Sequence, residues 1–530
     1  MKRNVKQVLN MLVVLILAIL ALVSCTKKEA TVDKQELKEV SSVDDVIDEL
    51  VDDKIADMEE KMMAEHENAE RVTDFLFTEK KDRGDITSIV TLANKDAGIK
   101  TFQFDALDLD EGYDDVVALT IDFDGVIIPK GGEDNVRESG DDIVITSGGI
   151  YVLKGTLNDK RIRVEKGLGP MTQIVLDGVK INTDKESAIL TPKDCITQIH
   201  LAKGSVNEIN SKSEDSIAKG SKRNGVIFSE EKLSFTGTGK LIIKSGFECS
   251  IESNDKLIFI SGDYEINAKG DGIKAKNEVI FRDGNVEINS GDDAIRVTKN
   301  KNAYVYIENA NMRVASNDKG INSDDEVLIV GGSLDFDTRG ESIAGKVVNI
   351  LGGKINLKSG NDAINTTDAD QNKKDNQIGV YTRIIGGELN IDSAMDGIDS
   401  NGDLYLEGGK IFISASESDN ERIIDYNGIV TCHIGTEMMA VGPSARMQDL
   451  GDAPKQSYIV IYYKDNISAG KKIELKDDNN NVILSFNPNK TYKAALITSA
   501  NLEVGNNYKI VCDKKELSVS LVEGKNEIVE

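Results

Sequence analysis

Beyond residue 140 the apolar residues alternate with polar ones in short runs, and each run ends at Gly, Asn or Asp. The segment DGIDSNGDLYLEGGKIFISAS, from Asp396 to Ser416, shows the grammar: Leu404 and Leu406 face one way, Gly408-Gly409 turns the chain, and Ile411 and Ile413 face inward again. The same pairs recur as Leu257/Phe259 with Tyr264/Ile266, Val279/Phe281 with Val286/Ile288, Val327/Ile329 with Leu334/Phe336, Val348/Ile350 with Ile355/Leu357, and Leu389/Ile391. Alternation with a period of two predicts half-buried strands, because successive side chains of a strand point to opposite faces.

The pattern repeats. Isoleucines that follow a small or acidic triplet stand at Ile251, Ile273, Ile295, Ile321, Ile343, Ile364, Ile398 and Ile429, with steps of 22, 22, 26, 22, 21, 34 and 31. The basal period is 22, and the longer steps hold insertions: Lys299 to Asn302, the polar TTDADQNKKDNQIG, and SESDNER. Insertions that leave a repeat in phase belong to loops on one side of a solenoid. One such unit is too small to bury its own apolar face, but a stack of them forms a continuous interior. The chain is therefore expected to be all-β, a right-handed parallel β-helix with one coil per repeat and roughly ten coils between Val116 and Val441.

Upstream the pattern changes. From Val32 to about Phe77, apolar residues at Leu37, Val40, Val43, Ile47, Leu50, Ile55, Met58 and Met62 sit three to five apart among acids and lysines, which fits an amphipathic helix. The heptad is irregular, which favours a helical spacer over a coiled coil. Ahead of it, MKRNVKQ leads into MLVVLILAILALV and then Ser24-Cys25, the order of an export signal. The apolar run from Met11 to Val23 is 13 residues, short of the roughly 20 that span a bilayer. Leu22 to Cys25 resembles the lipobox of bacterial lipoproteins, which implies lipidation of Cys25 and anchorage to the membrane of the bacterial cell envelope. The expected divisions are a signal over 1–24, an acidic spacer over 25–115, the β-helix over 116–445 and a small C-terminal β domain over 456–530.

Charge narrows the function. The formal net charge is −27, and removal of a signal carrying Lys2, Arg3 and Lys6 takes it to −30. The basic footprint of a nucleic-acid binder is absent. So acidic a surface repels polyanions unless divalent cations intervene, and its carboxylates suit hard cations, so calcium is the expected cofactor. Cys195, Cys249, Cys432 and Cys512 show no paired spacing, which argues against a disulfide framework or a zinc site. His66, His200 and His433 are scattered and read as ordinary surface or core residues.

The blocks ITSGGIYVLKGTLNDKRIRV, IVLDGVKI, GVIFSEEKLSFTGTGKLIIKS, DGIKAKNEVIFRDGNVEIN, GKVVNILGGKINLKSGNDAIN, DGIDSNGDLYLEGGKIFISAS and DYNGIV run in order along the chain, followed by SAGKKIELKDDNNNVILSFNPNKTY. In that order they resemble the bacterial carbohydrate-binding β-helix proteins, relatives of pectate lyases in fold. The resemblance covers roughly residues 116 to 520. It implies binding of polygalacturonate or cellulose-like polymers, bound calcium and no common catalytic activity. The chain departs from the pattern at Cys249-Ser250-Ile251, Lys319-Gly320-Ile321 and Glu341-Ser342-Ile343, and from Thr436 to Ser457 it lacks a serine-rich run.

In a β-helix, equivalent residues of successive coils lie about 4.8 Å apart. The triplet acids Asp271, Asp292, Asp293, Asp318, Asp362 and Asp396 are thus expected to form one ladder, with Asp399 and Asp425 as further calcium ligands. Stacked carboxylates repel unless a cation lies between them, and calcium accepts six to eight oxygens in irregular geometry. Asp is also a favoured turn residue, which accounts for part of the pattern. An EF-hand is excluded: in the nearest match, Asp368, Asp370, Asn372, the sixth position is Lys373 and the twelfth is Gly379. With no Trp and 5% aromatics, ring stacking is not expected to dominate sugar recognition. The acidic ladder suits a polyuronate, with Lys274, Lys276 and Arg296 as secondary contacts. Two other classes stand beside a binding module: a polysaccharide lyase or hydrolase, and a structural envelope protein. The repeated, interchangeable placement of the acids favours binding, since catalysis needs one unrepeated constellation.

Overall fold

The computed structural model describes residues 102, 104, 108–109, 111–165, 171–185, 187–211, 225–246, 248–298, 302–372, 374–451 and 454–530. The expected signal, Cys25 and the helical spacer lie outside the described residues. Among the described residues every regular element is a strand, and no helix is long and apolar enough to cross a membrane.

Between Leu119 and Gly442 the described chain winds into a parallel β-helix of about eleven turns. Each coil contributes three strands, seen in the sequence Ile273–Ala275, Glu278–Phe281 and Asn285–Ser290. The short first strands stack into one sheet, which is parallel from Asp142–Ile145 to Ile424–Tyr426, while the second and third strands of every coil build a second sheet.

Inside, the register places like on like. Ile143, Ile162, Ile189, Ile227, Ile251, Ile273, Ile295, Ile321, Ile343, Ile364, Ile398 and Ile424 form one uninterrupted column, and every member is fully buried. Burying each such side chain contributes roughly 1.5–3 kcal/mol relative to leaving it exposed. Beside that column Phe235, Phe259 and Phe281 stack with ring centroids 4.7 Å apart at each step, the repeat distance of the coils themselves. All the pairs expected to point inward from Leu257 to Ile413 are buried.

The turn between second and third strands is made with glycine in most coils, Glu308-Asn309-Ala310 being an exception. Gly332 has φ +94°, and a Cβ there would lie 2.3 Å from the carbonyl oxygen of Ala310 in the coil below. Both the left-handed backbone and the close approach exclude a side chain.

One position of the expected repeat is corrected. Ile424, not Ile429, pairs with Ile398, and Ile429 is exposed. Asn-Gly-Ile at 427–429 imitates the acid-Gly-Ile signal, but it forms the turn after the short strand. The coil itself opens at Arg422-Ile423-Ile424, where neither acid nor glycine marks it.

At the far end, Glu437–Gly442 closes the third-strand row and pairs antiparallel with Tyr492–Thr498, which pairs in turn with Tyr458–Ile467. A four-stranded antiparallel sheet of Ile473–Asp477, Val482–Phe486, Asn507–Cys512 and Lys515–Ser520 encloses a second core around Met439, Ile461, Leu475 and Ile510. These strands cover the apolar end of the solenoid. Of the residues ahead of the first strand, Phe102, Asp108 and Gly112 lie against the outside of the second-strand row at three different coils: Phe102 meets Tyr306, Asp108 pairs with Lys232 at 3.0 Å, and the Gly112 carbonyl accepts from Gln173.

Candidate functional site

Asp271, Asp292, Asp293, Asp318, Asp362 and Asp396 sit on the turn that leads from a third strand into the next short strand, while Asp399 and Asp425 lie on the short strands themselves. The shape of that turn is set by a hydroxyl ladder. Ser290, Ser316 and Ser393 each donate to the carbonyl two residues ahead, on Asp292, Asp318 and Met395. A side-chain hydroxyl thereby closes the turn, and the acids follow at fixed places.

Two residues before the column isoleucine, successive coils carry Cys249, Asp271, Asp293, Lys319, Glu341, Asp362, Asp396 and Arg422. The expected single ladder is therefore divided. Lys319 and Glu341, an ion pair of 3.3 Å, separate a lower acidic cluster from an upper one.

In the lower cluster, carboxylate oxygens of Asp292, Asp293 and Asp318 lie within 4.8 Å of one another. Asp293 is fully buried, accepting from the Lys319 backbone NH at 3.1 Å and from the Asn322 amide at 2.7 Å. Burial pushes its carboxyl above the ordinary aspartate value, against the pull of those two hydrogen bonds. Asp271, one coil below, is buried and has one carboxylate oxygen without a partner.

The upper cluster is built on Asp362 and Asp396, both buried, in adjacent coils. Asp362 accepts from the backbone NH of Asp396 at 3.0 Å, and Asp396 accepts from the backbone NH of Arg422. Burial raises both carboxyls to about 6, with the neighbouring acids Glu341 and Glu421 adding to the effect at Asp362 and Asp362 and Glu421 at Asp396. Asp399 and Asp425 stack beside them, one residue after the isoleucine column, and Arg422 forms an ion pair with Asp425. Asp425 and Asn365 each keep a buried oxygen without a partner.

The three expected cationic contacts do not act alike. Lys274 pairs with Asp271 at 3.1 Å and Arg296 with Asp293 at 3.5 Å, each three residues along the chain, so both neutralise lower-cluster acids. Lys276 is exposed on the turn after the short strand. Lys319 and Glu341, which the sequence marks as departures from the pattern, occupy the acid column itself, and so does Arg422, which sequence reasoning missed; the register of the isoleucines is the signal that locates it. It also missed Arg383, whose guanidinium lies 5.4 and 4.9 Å from the ring centres of Tyr381 and Tyr405 on the outer face of the second-strand row. Tyr381 and Arg383 are two residues apart on one strand, but Tyr405 joins them only because the next coil stacks on theirs.

Hard oxygen donors dominate both clusters. The donor set of Asp292, Asp293 and Asp318 fits calcium, which takes carboxylate and carbonyl oxygens in flexible geometry. Asp271 keeps one oxygen without a partner although Lys274 pairs with the other, and burial outweighs the hydrogen bonds that favour the charged form at Asp362.

Three comparisons with known proteins bear on the coiled region. A carbohydrate-binding domain-containing protein of Acetivibrio thermocellus is 28% identical over 148 residues, 28% of this chain and 52% of that protein. The chain thus spans about half the length of the curated relative it matches. A solved structure of the polysaccharide lyase-like protein from C. thermocellum, a gadolinium derivative, is 24% identical and covers 48% of this chain and 97% of that one, with a TM-score of 0.35. The model of the carbohydrate-binding domain-containing protein family matches residues 139–347 and 343–457, the whole of the acid-bearing coils, and the chain belongs to that family.

Proposed function

We propose that this carbohydrate-binding chain holds an acidic polysaccharide of polyuronate type on its β-helix, with calcium bridging protein and polymer carboxylates and without cleaving the chain. The observation that carries the reading is the meeting of Asp292, Asp293 and Asp318 oxygens within 4.8 Å. A protein of net charge −27 repels a polyanion, and cations held at such clusters reverse that locally. Asp271, Asp362, Asp396, Asp399 and Asp425 supply further oxygens along the same side. Export and lipid anchorage at Cys25 would place the binding surface on the cell envelope.

Absence of cleavage is supported by the state of the bases. A lyase needs an Arg or Lys base positioned beside the metal, and a lysine in that role must be neutral. Burial works to lower the Lys274 value, but the charge and hydrogen bond of Asp271 outweigh it and hold the amine protonated. Lys319 is held protonated in the same way by Glu341 and Asp318. One observation favours a hydrolase as the second reading: Asp362 and Asp396 are stacked carboxyls with values near 6, and a pair of carboxyls is the machinery of glycoside hydrolysis. Both, however, are tied to the backbone of the next coil.

One assay tests these readings together. The full-length chain in detergent is expected to be retained on immobilised polygalacturonate in calcium, to elute in EDTA, and to release neither unsaturated nor reducing ends. Asp271→Asn with Asp293→Asn should weaken retention, while Asp177→Asn, whose carboxylate pairs with Lys154 at 2.7 Å away from the clusters, should not. Unsaturated products absorbing at 235 nm would assign a lyase, new reducing ends without them a hydrolase, and failure to bind any glycan would leave an envelope structural role.

A further inference from the structure

Alongside the lower cluster runs a groove of about 700 Å³ that no repeat motif marks. It crosses six consecutive coils where the third strands end, from Ser211 to Asp337, and Lys244, Lys269 and Arg339 stand on it, all exposed. Asp337 is the one acid in its lining, and the Lys358 ammonium lies 2.8 Å from that carboxylate. In a chain of net charge −27, this strip is locally cationic.

Its shape follows from the coil register. Lys244, Asn267, Asn289, Ala315 and Asp337 are successive members of one outward column. The Asn289 amide donates to the Asn267 side-chain oxygen at 3.3 Å, so amide groups are presented at the coil spacing. Gly291 keeps the floor low: a Cβ there would fall 1.8 Å from the Lys269 carbonyl oxygen. Ala315 adds no bulk further along. The result is a shallow channel whose polar groups recur about every 4.8 Å, a step comparable with one pyranose unit of a linear glycan.

The channel and the acids are continuous. Ser290-Gly291 in its floor leads directly into Asp292-Asp293, and Ser316-Asn317 leads into Asp318. A polymer lying in the channel would have cations under it and the carboxylate cluster at its edge.

We infer that this channel is the glycan-binding groove, in which Lys244, Lys269 and Arg339 bind the carboxylates of an acidic sugar chain directly while calcium at the neighbouring acids removes the repulsion. The inference rests on the acidic-polysaccharide reading above and adds to it the residues that touch the sugar. A planar guanidinium such as that of Arg339 matches a carboxylate with two parallel hydrogen bonds, and ammonium groups add point charges. Neutral glycans would lack those partners. Recognition would therefore depend on the uronate charge, not on ring stacking.

The test measures oligogalacturonate affinity of the full-length chain in calcium by calorimetry, for the native sequence, for Lys244→Gln with Arg339→Gln, and for Lys354→Gln with Lys410→Gln on the sheet face outside the channel. The first pair should bind on the order of tenfold more weakly or worse, as expected for loss of two charge-assisted contacts. The second pair should bind as the native chain does. The calcium-induced rise in unfolding temperature should be the same in all three, which separates loss of sugar contacts from loss of fold or metal. Fully methyl-esterified oligomers should not distinguish the channel pair from the native chain. Unchanged affinity of the channel pair for the acidic oligomer would overturn the inference and leave the polysaccharide reading standing. Failure of the native chain to bind any oligomer would overturn both.

Discussion

The stacked carboxyls Asp362 and Asp396 make a prediction that depends on sign as well as size. Each is buried and raised from the ordinary value of 3.8 to about 6. A carboxyl whose value is higher in the folded state holds its proton more tightly there, so the stability present at low pH is lost as pH rises from about 4 to about 6 and falls no further above that. Two units correspond to about 3 kcal/mol per group at pH 7.5 and about half that at pH 5. In EDTA, Asp362→Asn should therefore stabilise the β-helix, more at pH 7.5 than at pH 5. The new amide can be accommodated: its oxygen can accept from the Asp396 backbone NH, and its NH₂ can meet Asn365, whose own oxygen lacks a partner, once that amide turns over. The charged groups facing the site are Glu341, Glu421, Asp396 and Arg422. Since Asp362 itself contributes to the rise at Asp396, the double substitution should yield less than twice the single one. Urea unfolding at both pH values, with and without calcium, is the assay. Calcium should reduce or reverse the gain, because a bound cation favours the charged form. A single substitution that destabilised equally at pH 5 and pH 7.5 in EDTA would refute the reasoning.

Two further expectations are simpler. Ile295→Ala, in the middle of the fully buried isoleucine column, should destabilise by about 2–5 kcal/mol, measured by the same urea unfolding, because neighbouring coils leave little room to close the cavity. Cys25→Ser should leave an unprocessed precursor or a released protein, and normal partitioning of that variant into the detergent phase would contradict the lipoprotein reading.

The β-helix was legible because its period is stated by residues that have no other reason to recur. From Ile251 to Ile398 the column could be followed by eye, since small or acidic triplets flag each coil. Earlier members, Ile143, Ile162, Ile189 and Ile227, escaped notice because their spacing varies and no acid-Gly precedes them. Ile424 escaped for the opposite reason: Asn-Gly-Ile nearby offered a better local match than the true coil. Local turn chemistry and long-range register are different signals, and where they disagree the register of the buried face decides.

The acid ladder shows the same conflict at the level of function. Asp at the second position before the isoleucine recurs partly for a structural reason, since Asp293, Asp362 and Asp396 each accept the backbone NH of the following coil and so tie one turn to the next. Recurrence alone therefore could not separate clasp from ligand. Burial does. Asp292 and Asp318 sit one position earlier, nearer to solvent, and among the described residues they accept no such backbone bond, yet they converge on buried Asp293. An acid that braces the fold is replaced at little loss by any acceptor of the same shape, whereas Asp292 and Asp318 contribute charge and little else. On the calcium-bridged reading proposed above, it is therefore the acids at the edge of the groove, with Asp293 behind them, whose charge a bridging cation would use.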